Sequence, residues 1–406
     1  MGRATEHLIA HIKKHPIPFA IGGMGLIASL ILLLCSTGTN DIRSWESFAR
    51  QIQTDGLFAL YEKDKLFNHP PLMGILSWLS LEVSSILGLS FAITFKLFPV
   101  LANIGAALAL RSIYEQRVDS RKGAHAFALF SWALCPMFVA AYHGNTDCIC
   151  VFFCLWSLYF LEVRKKPFLG GLMLAAAINV KIVPLLVALP MLAGFRSFKD
   201  ARGFILGSMT AAIPFVIALL GVGTTFVKNV FGYGSSLEPW GMQLALVTFR
   251  SIPGMTTESG LAINNWYFEN GKYVLIAAVV LLAAYGFWRK LSHARLLAAS
   301  LSLFLLLTPG FGVQYTAYPA PLIFAVSLAW GTRFSMVAGL YIGLVYASWS
   351  HGVFPLESSY KGYPPNLAFL GFAVWLVLLS FLPSCLRRTT ERESGQLPPA
   401  DEPPKE

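Results

Sequence analysis

The chain has 406 residues, 55% of them hydrophobic and 13% charged, with a mean hydropathy of +0.60. A soluble domain is about a quarter charged, so this composition leaves too little polar surface to cover a water-soluble globule. The formal charge is +10, from 31 Lys+Arg against 21 Asp+Glu, but the positives sit in short gaps between apolar runs. There they read as topology signals, and no nucleic-acid partner is expected.

Apolar runs of about 18 residues or more, each long enough to span a bilayer, recur along the chain. The expectation is an all-α polytopic membrane protein of about 10–12 transmembrane helices. Residues 1–384 form one transmembrane domain, and 385–406 a disordered cytoplasmic tail, charged and Pro-rich. The first apolar run, to about Leu34, follows Arg3, Lys13 and Lys14 and lacks a small-x-small cleavage site, so it reads as an uncleaved signal anchor. The six cysteines make no disulfide framework.

Residues 41–55 (DIRSWESFARQIQTD) predict an amphipathic helix with Ile42, Trp45, Phe48 and Ala49 on one face. A polar link, 61–69, leads to Pro70-Pro71, a helix-start signal. The apolar stretch Leu72–Leu89 could cross a membrane by hydropathy. Charge balance places it at the interface instead, because a crossing would put the Arg111/Arg117/Arg121/Lys122 group on the wrong side. That group and those at 164–166, 196–202, 289–295, Arg333 and 387–392 can all be cytoplasmic under one topology with cytoplasmic termini. Outer gaps then fall at 37–90, around 142–147, 225–272, 308–316 and 351–365. The run 167–195 has positive clusters at both ends, yet two full crossings need about 40 residues. With Pro184 and Pro190 interrupting it, it predicts a broken hairpin with Lys181 near its apex.

The distinctive polar motifs fall on the outer side. They are Asn40-Asp41, His69-Pro70-Pro71, His143-Gly144-Asn145-Thr146-Asp147, Lys181, Tyr233–Gly241 with Arg250, and Gly310–Tyr315. Several have ordinary explanations: Asp41 as a helix N-cap, Trp240 as a membrane-belt aromatic, the glycines of GFGVQY as a tight turn. Lys181 is harder to explain away. A cation within an apolar hairpin costs several kcal/mol unless paired or hydrated, so it needs Asp147, Asp41 or a bound phosphate.

In this order and sidedness, the acidic residue after the first helix, the amphipathic outer helix, the PP link, HGNTD, AINVKIVP and TPGFGVQY resemble the GT-C class of membrane glycosyltransferases. Their nearest likeness is the branch that uses polyprenyl-phosphate sugars, with mannosyltransferase-like and bacterial members. The likeness spans about Thr37 to Tyr318; His69 departs from it, since many relatives carry an aromatic before the two prolines. It implies inverting transfer, mannose as the favoured sugar, from a polyprenyl-phosphate donor to a glycolipid, glycan or protein acceptor. It implies an outward-facing site in a bacterial inner membrane; the absence of any N-x-S/T sequon agrees with that origin. Asp41 matches the catalytic acidic residue and would be the general base. Lys181 and Arg250, with Gln314 and Tyr315 as neutral donors, would hold the donor phosphate. His69, His143, Asn145, Asp147 and Trp240 would orient substrate or base. No DxD-like metal site is present, so neither metal nor cofactor is expected. A lipid-linked sugar transporter or flippase is the rival reading; it is disfavoured by the absence of repeats and of a P-loop.

Overall fold

The computed structural model describes residues 10–232, 240–249, 257–350, 354–355 and 364–387. These residues are helical with no strand among them, as backbone groups in lipid require. Helix α1, Pro16–Cys35, carries no charge and starts on Pro16. α2 (Asn40–Asp55) and α3 (Leu57–Lys63) follow, then α4 (Pro71–Leu87) and the long α5 (Phe91–Arg117). α6 (Ser120–Ser131) and α7 (Leu134–Met137) lead into a π-helical turn, Phe138–His143, bent by 51° from α6. α8 (Asp147–Glu162), α9 (Pro167–Val180), α10 (Leu185–Ala193), α11 (Phe198–Ala211) and α12 (Ile213–Phe231) complete the first half. The second half is α13 (Gly241–Phe249), α14 (Thr257–Arg289), α15 (His293–Leu307), a 3₁₀ turn at Val313–Ala317, α16 (Ala320–Val326), α17 (Leu328–Trp349) and α18 (Ala368–Leu386).

Among the described residues, six helices are long and apolar enough to cross a membrane, or up to seven with the bent pair. The other hydrophobic segments of the sequence are shorter or broken, among them Pro71–Leu87, Pro167–Val180 and His293–Leu307. The protein is thus an all-α polytopic membrane protein.

Its two ends differ in chemistry. At one end, Lys96 near the start of α5 meets the last turn of α1, with its Nζ 2.6 Å from the Leu33 carbonyl. At the other, Glu162 at the end of α8 pairs with Arg117 at the end of α5 and accepts from the Ala294 amide at 2.9 Å. There, too, Arg295 donates to the carbonyls of Ser384 and Arg387. The cationic gaps around these residues therefore gather at one end of the bundle, and the segment after α1 lies at the other.

α2 buries Ile42, Trp45, Phe48 and Ala49, the face expected from its periodicity. Trp45 stacks on Phe95 of α5 at 5.3 Å, and Phe48 meets Phe67 at 5.2 Å. α4 packs beside α2, with Gln53 donating to Glu82 at 3.1 Å. Its first residue follows His69-Pro70, whose histidine lies beside the Val180 carbonyl, and its last turn feeds α5 next to Lys96. Both ends of α4 lie at the α2 end of the bundle.

The hairpin 167–195 is broken as expected. α9 stops at Val180, Lys181 is extended (φ −154°, ψ 146°), and α10 starts after Pro184. α9 crosses α11 so closely that a Cβ on Gly171 would lie 1.9 Å from the Phe204 carbonyl oxygen, and one on Gly207 1.9 Å from that of Phe168. Small residues permit such backbone approach where apolar lipid supplies no hydrophobic drive. Gly171→Val is expected to separate these helices and destabilise the fold by about 2 kcal/mol or more. An unchanged melting curve in detergent would show that the crossing is not tight.

Candidate functional site

The chain leaves α1 at Cys35 and must turn into α2 within four residues. Lys96 holds that turn: its buried ammonium donates to the carbonyls of Leu33 and Ser36 and to Ser36 Oγ at 2.8 Å. These carbonyls end a helix, where a cation is favourable. Ser36 Oγ donates to the Ala141 carbonyl at 3.1 Å, and the Thr39 amide to the His143 carbonyl at 3.3 Å. The turn is thereby sewn to the π-helical segment. Gly144, at φ +74°, closes that segment; a Cβ there would lie 2.5 Å from Ile42 Cδ1 and 2.9 Å from Lys96 Cγ. An inserted π turn often marks a functional site, and here it brings His143 and Asn145 against α2.

Asp41 is not the N-cap expected as its ordinary role. Thr39 holds that position, and Asp41 is the second residue of the helix, where the positive helix end favours a carboxylate. Its Oδ2 lies 3.0 Å from His143 Nε2 and accepts from Asn145 Nδ2 at 2.8 Å. A carboxylate oxygen only accepts, so the hydrogen sits on His143 Nε2. Nδ1 of the same ring lies 2.8 Å from the Tyr346 hydroxyl. Asp41 Oδ1 has no partner among the described residues, and the side chain is 32% exposed. Burial pushes the Asp41 pKa up, but His143, the Asn145 hydrogen bond and Lys181 outweigh it and bring it to about 2. Asp41 is thus an ionised carboxylate with one oxygen fixed and the other open.

Asn145 joins this carboxylate to a second one. While its amide nitrogen serves Asp41, its Oδ1 accepts from the Asp147 backbone N–H at 3.0 Å. Asp147, at the first position of α8, is fully buried. Its Oδ1 accepts from Lys181 Nζ at 2.6 Å and from the Tyr318 hydroxyl at 2.9 Å. The Lys181 ammonium also lies over the rings of Tyr315 (5.1 Å) and Tyr318 (5.8 Å), a cation–π arrangement. The broken hairpin and the late 3₁₀ turn therefore meet at one charge pair.

His69 faces the same group. Its ring lies 4.7 Å from that of Trp45, and its Nδ1 is 3.5 Å from the Val180 carbonyl, one residue before Lys181. Burial, aided by the Lys181 charge, drives its pKa down to about 3, so the ring is neutral. Gln314 folds back over Gly312, where a Cβ would meet its amide at 2.7 Å. Trp240 is placed apart from these contacts. Its ring is 1% exposed, stacks on Phe311 at 4.0 Å and donates to the Leu305 carbonyl at 2.9 Å. Arg250 and Tyr233–Pro239 lie outside the described residues.

Asp41, His69, His143, Asn145, Asp147, Lys181 and Tyr315 thus come together from five separate stretches of sequence. Sequence reading missed Lys96, Tyr318 and Tyr346. Lys96 had a signal, a lone lysine inside an apolar run; the tyrosines had none, because tyrosine is common throughout such helices.

A charged, partly open constellation at one end of a membrane-spanning helical bundle is suited to group transfer at the membrane surface. A profile of glycosyltransferase family 87 matches residues 67–309, more than half of the chain. The chain belongs to glycosyltransferase family 87, a family of membrane glycosyltransferases, and the match favours transfer over transport. It covers His69, His143–Asp147, Lys181, Trp240 and Arg250; Asp41, Gln314 and Tyr315 lie outside it. Comparison with curated proteins finds no match.

Lys96→Met would leave the end of α1 and the Ser36 turn without their cation. It is expected to cost about 2 kcal/mol or more and to lower the melting temperature of the detergent-solubilised protein. Unchanged melting would mean that Lys96 does not hold this turn.

Proposed function

We propose that the protein transfers a sugar, mannose by the resemblance of its motifs, from a polyprenyl-phosphate donor to an acceptor hydroxyl with inversion at the anomeric carbon. The observation that carries this reading is the Asn145 bridge between an open carboxylate, Asp41, and a paired cation, Lys181. Inverting transfer needs those two elements near each other: a base for the attacking hydroxyl and positive charge for the departing phosphate.

In this reading Asp41 Oδ1 takes the acceptor proton while His143 and Asn145 hold Oδ2. The acceptor oxygen bonds to the anomeric carbon as the bond from that carbon to the phosphate oxygen breaks, leaving its electrons on the phosphate. The phosphate already carries charge and needs no protonation, so the pKa of Asp41 need only suit the base. Substrate binding displaces water from Oδ1 and raises that pKa, since burial already pushes upward on this group. Lys181 would hold the departing phosphate, with Tyr315, Gln314 and Arg250 as neighbouring donors. Neutral His69 would line the sugar side. A bilayer supplies the donor laterally, and the acceptor is a glycolipid, glycan or protein. No cofactor is invoked beyond the lipid-linked sugar.

The gathering of cationic gaps at the end away from Asp41 supports an outward-facing site, with cytoplasmic termini, in a bacterial inner membrane. Leu66→Cys, exposed near the site, is expected to react with an impermeant maleimide from outside, whereas Arg121→Cys is not. The opposite pattern overturns this orientation.

The transfer itself is tested by incubating purified protein with a panel of polyprenyl-phosphate sugars and following donor consumption. Asp41→Asn is expected to lower kcat by about 10²–10⁴ with little change in donor KM. Lys181→Gln is expected to raise donor KM as well as lower kcat. Near-normal turnover in a folded Asp41→Asn protein would falsify the assignment of the base.

A further inference from the structure

Asp147 is in the wrong place to touch a substrate and in the right place to control one. It is fully buried; among the described residues its side-chain donors, Lys181 and Tyr318, are both on Oδ1, and Oδ2 is buried with no partner. The Lys181 side chain is 14% exposed, whereas that of Asp147, its partner, is fully buried. Asp147 therefore acts through Lys181. A full negative charge 2.6 Å behind the ammonium cancels most of the positive field it would present in front. If the site's task were only to hold phosphate as tightly as possible, a hydrogen-bonding amide would serve better.

We propose that Asp147 is a positioning residue that tunes Lys181 to release the product. The inference rests on the lipid-phosphate donor proposed above. A sugar–phosphate–lipid diester carries one negative charge. Transfer breaks the bond between the anomeric carbon and the phosphate oxygen and leaves that electron pair on the phosphate, which becomes a monoester. The acceptor's proton passes to Asp41 and then to water. A phosphate monoester has a second pKa of about 6, so the product carries nearly two negative charges at neutral pH. Among the described residues the Lys181–Asp147 pair sums to zero and Asp41 adds a negative charge, so these groups offer the second product charge no counter-charge. Reaction thus turns a tolerated monoanion into a disfavoured dianion at the same place, and the lipid phosphate leaves. Oδ2, without a partner among the described residues, fits this role: the carboxylate is held by Lys181 and Tyr318 on Oδ1 alone.

The test compares farnesyl phosphate with its methyl diester as binding probes for the purified full-length protein in nanodiscs, titrated at pH 7.5. In the wild type the diester is expected to bind at least as tightly as the monoester. In Asp147→Asn the monoester is expected to gain about tenfold relative to the diester, and transfer to become more sensitive to added farnesyl phosphate. A purely structural role for Asp147 would weaken both probes together. An unchanged ratio in a folded Asp147→Asn protein overturns the proposal. If that variant does not fold, the wild type decides alone. Monoester affinity is expected to fall as pH rises from 5.5 to 8, through the second phosphate ionisation, while diester affinity does not; a rise in monoester affinity overturns the proposal. If the wild type binds neither probe at any pH, the lipid-phosphate donor is wrong, and the inference falls with it.

Discussion

The side-chain amide of Asn145 donates to Asp41 with its nitrogen and accepts from the Asp147 backbone with its oxygen. Two carboxylates are thereby fixed at a set spacing without either neutralising the other. Each has its own further support, His143 for Asp41 and Lys181 for Asp147. The result is two linked charge systems with opposite openings: Asp41 has an oxygen facing out, and Asp147 is enclosed. Buried charges are costly unless paired and hydrogen-bonded, so this division is stable only while every link is made.

The links impose demands on the backbone. Asn145 must follow a π turn and a left-handed glycine to face α2, and α2 must begin after only four intervening residues past α1. Lys96 meets the second demand by gathering the carbonyls at the end of α1. The same cation lies against the space beside Gly144, so the cap of α1 and the turn carrying Asn145 share one contact. At the far end of the bundle Glu162 plays the matching part, joining α5, α8 and α15 through Arg117 and the Ala294 amide. Between these two clamps the helices are bound by apolar packing and close glycine crossings, which hold positions but have no chemistry of their own.

Membership in glycosyltransferase family 87 makes the protein a glycosyltransferase, and the proposed site lies at this end of the molecule. The geometry sets how it could do so. A carboxylate of low pKa is a weak base in the free protein, yet it becomes stronger when an acceptor replaces water around its open oxygen. A lysine backed by a buried carboxylate is a moderate anion site, adequate for a singly charged ligand. In the proposed mechanism these properties favour turnover over tight binding.

Much of this architecture was legible in the residues. Composition alone requires a membrane environment, because so few charges cannot cover a soluble surface. The 3.6-residue period of 41–55 specifies which face of α2 is buried, and two cationic flanks around too short an apolar run require the break at Lys181. These are local or additive properties, decided by spacing and charge count. The pairing of Lys181 with Asp147, out of several possible anions, was not decidable this way, nor was the hold of His143 and Asn145 on Asp41. Those contacts join residues 34 to 104 positions apart, and the hold on Asp41 depends on where a π turn re-aims the chain. Trp240 shows the same limit in reverse: its sequence suits a membrane-facing aromatic, yet packing against Phe311 encloses it. Sequence determined that charges would have to be buried at one end of a helical bundle. Only the tertiary structure decided which charges meet, because pairing energy depends on distances that chain spacing does not encode.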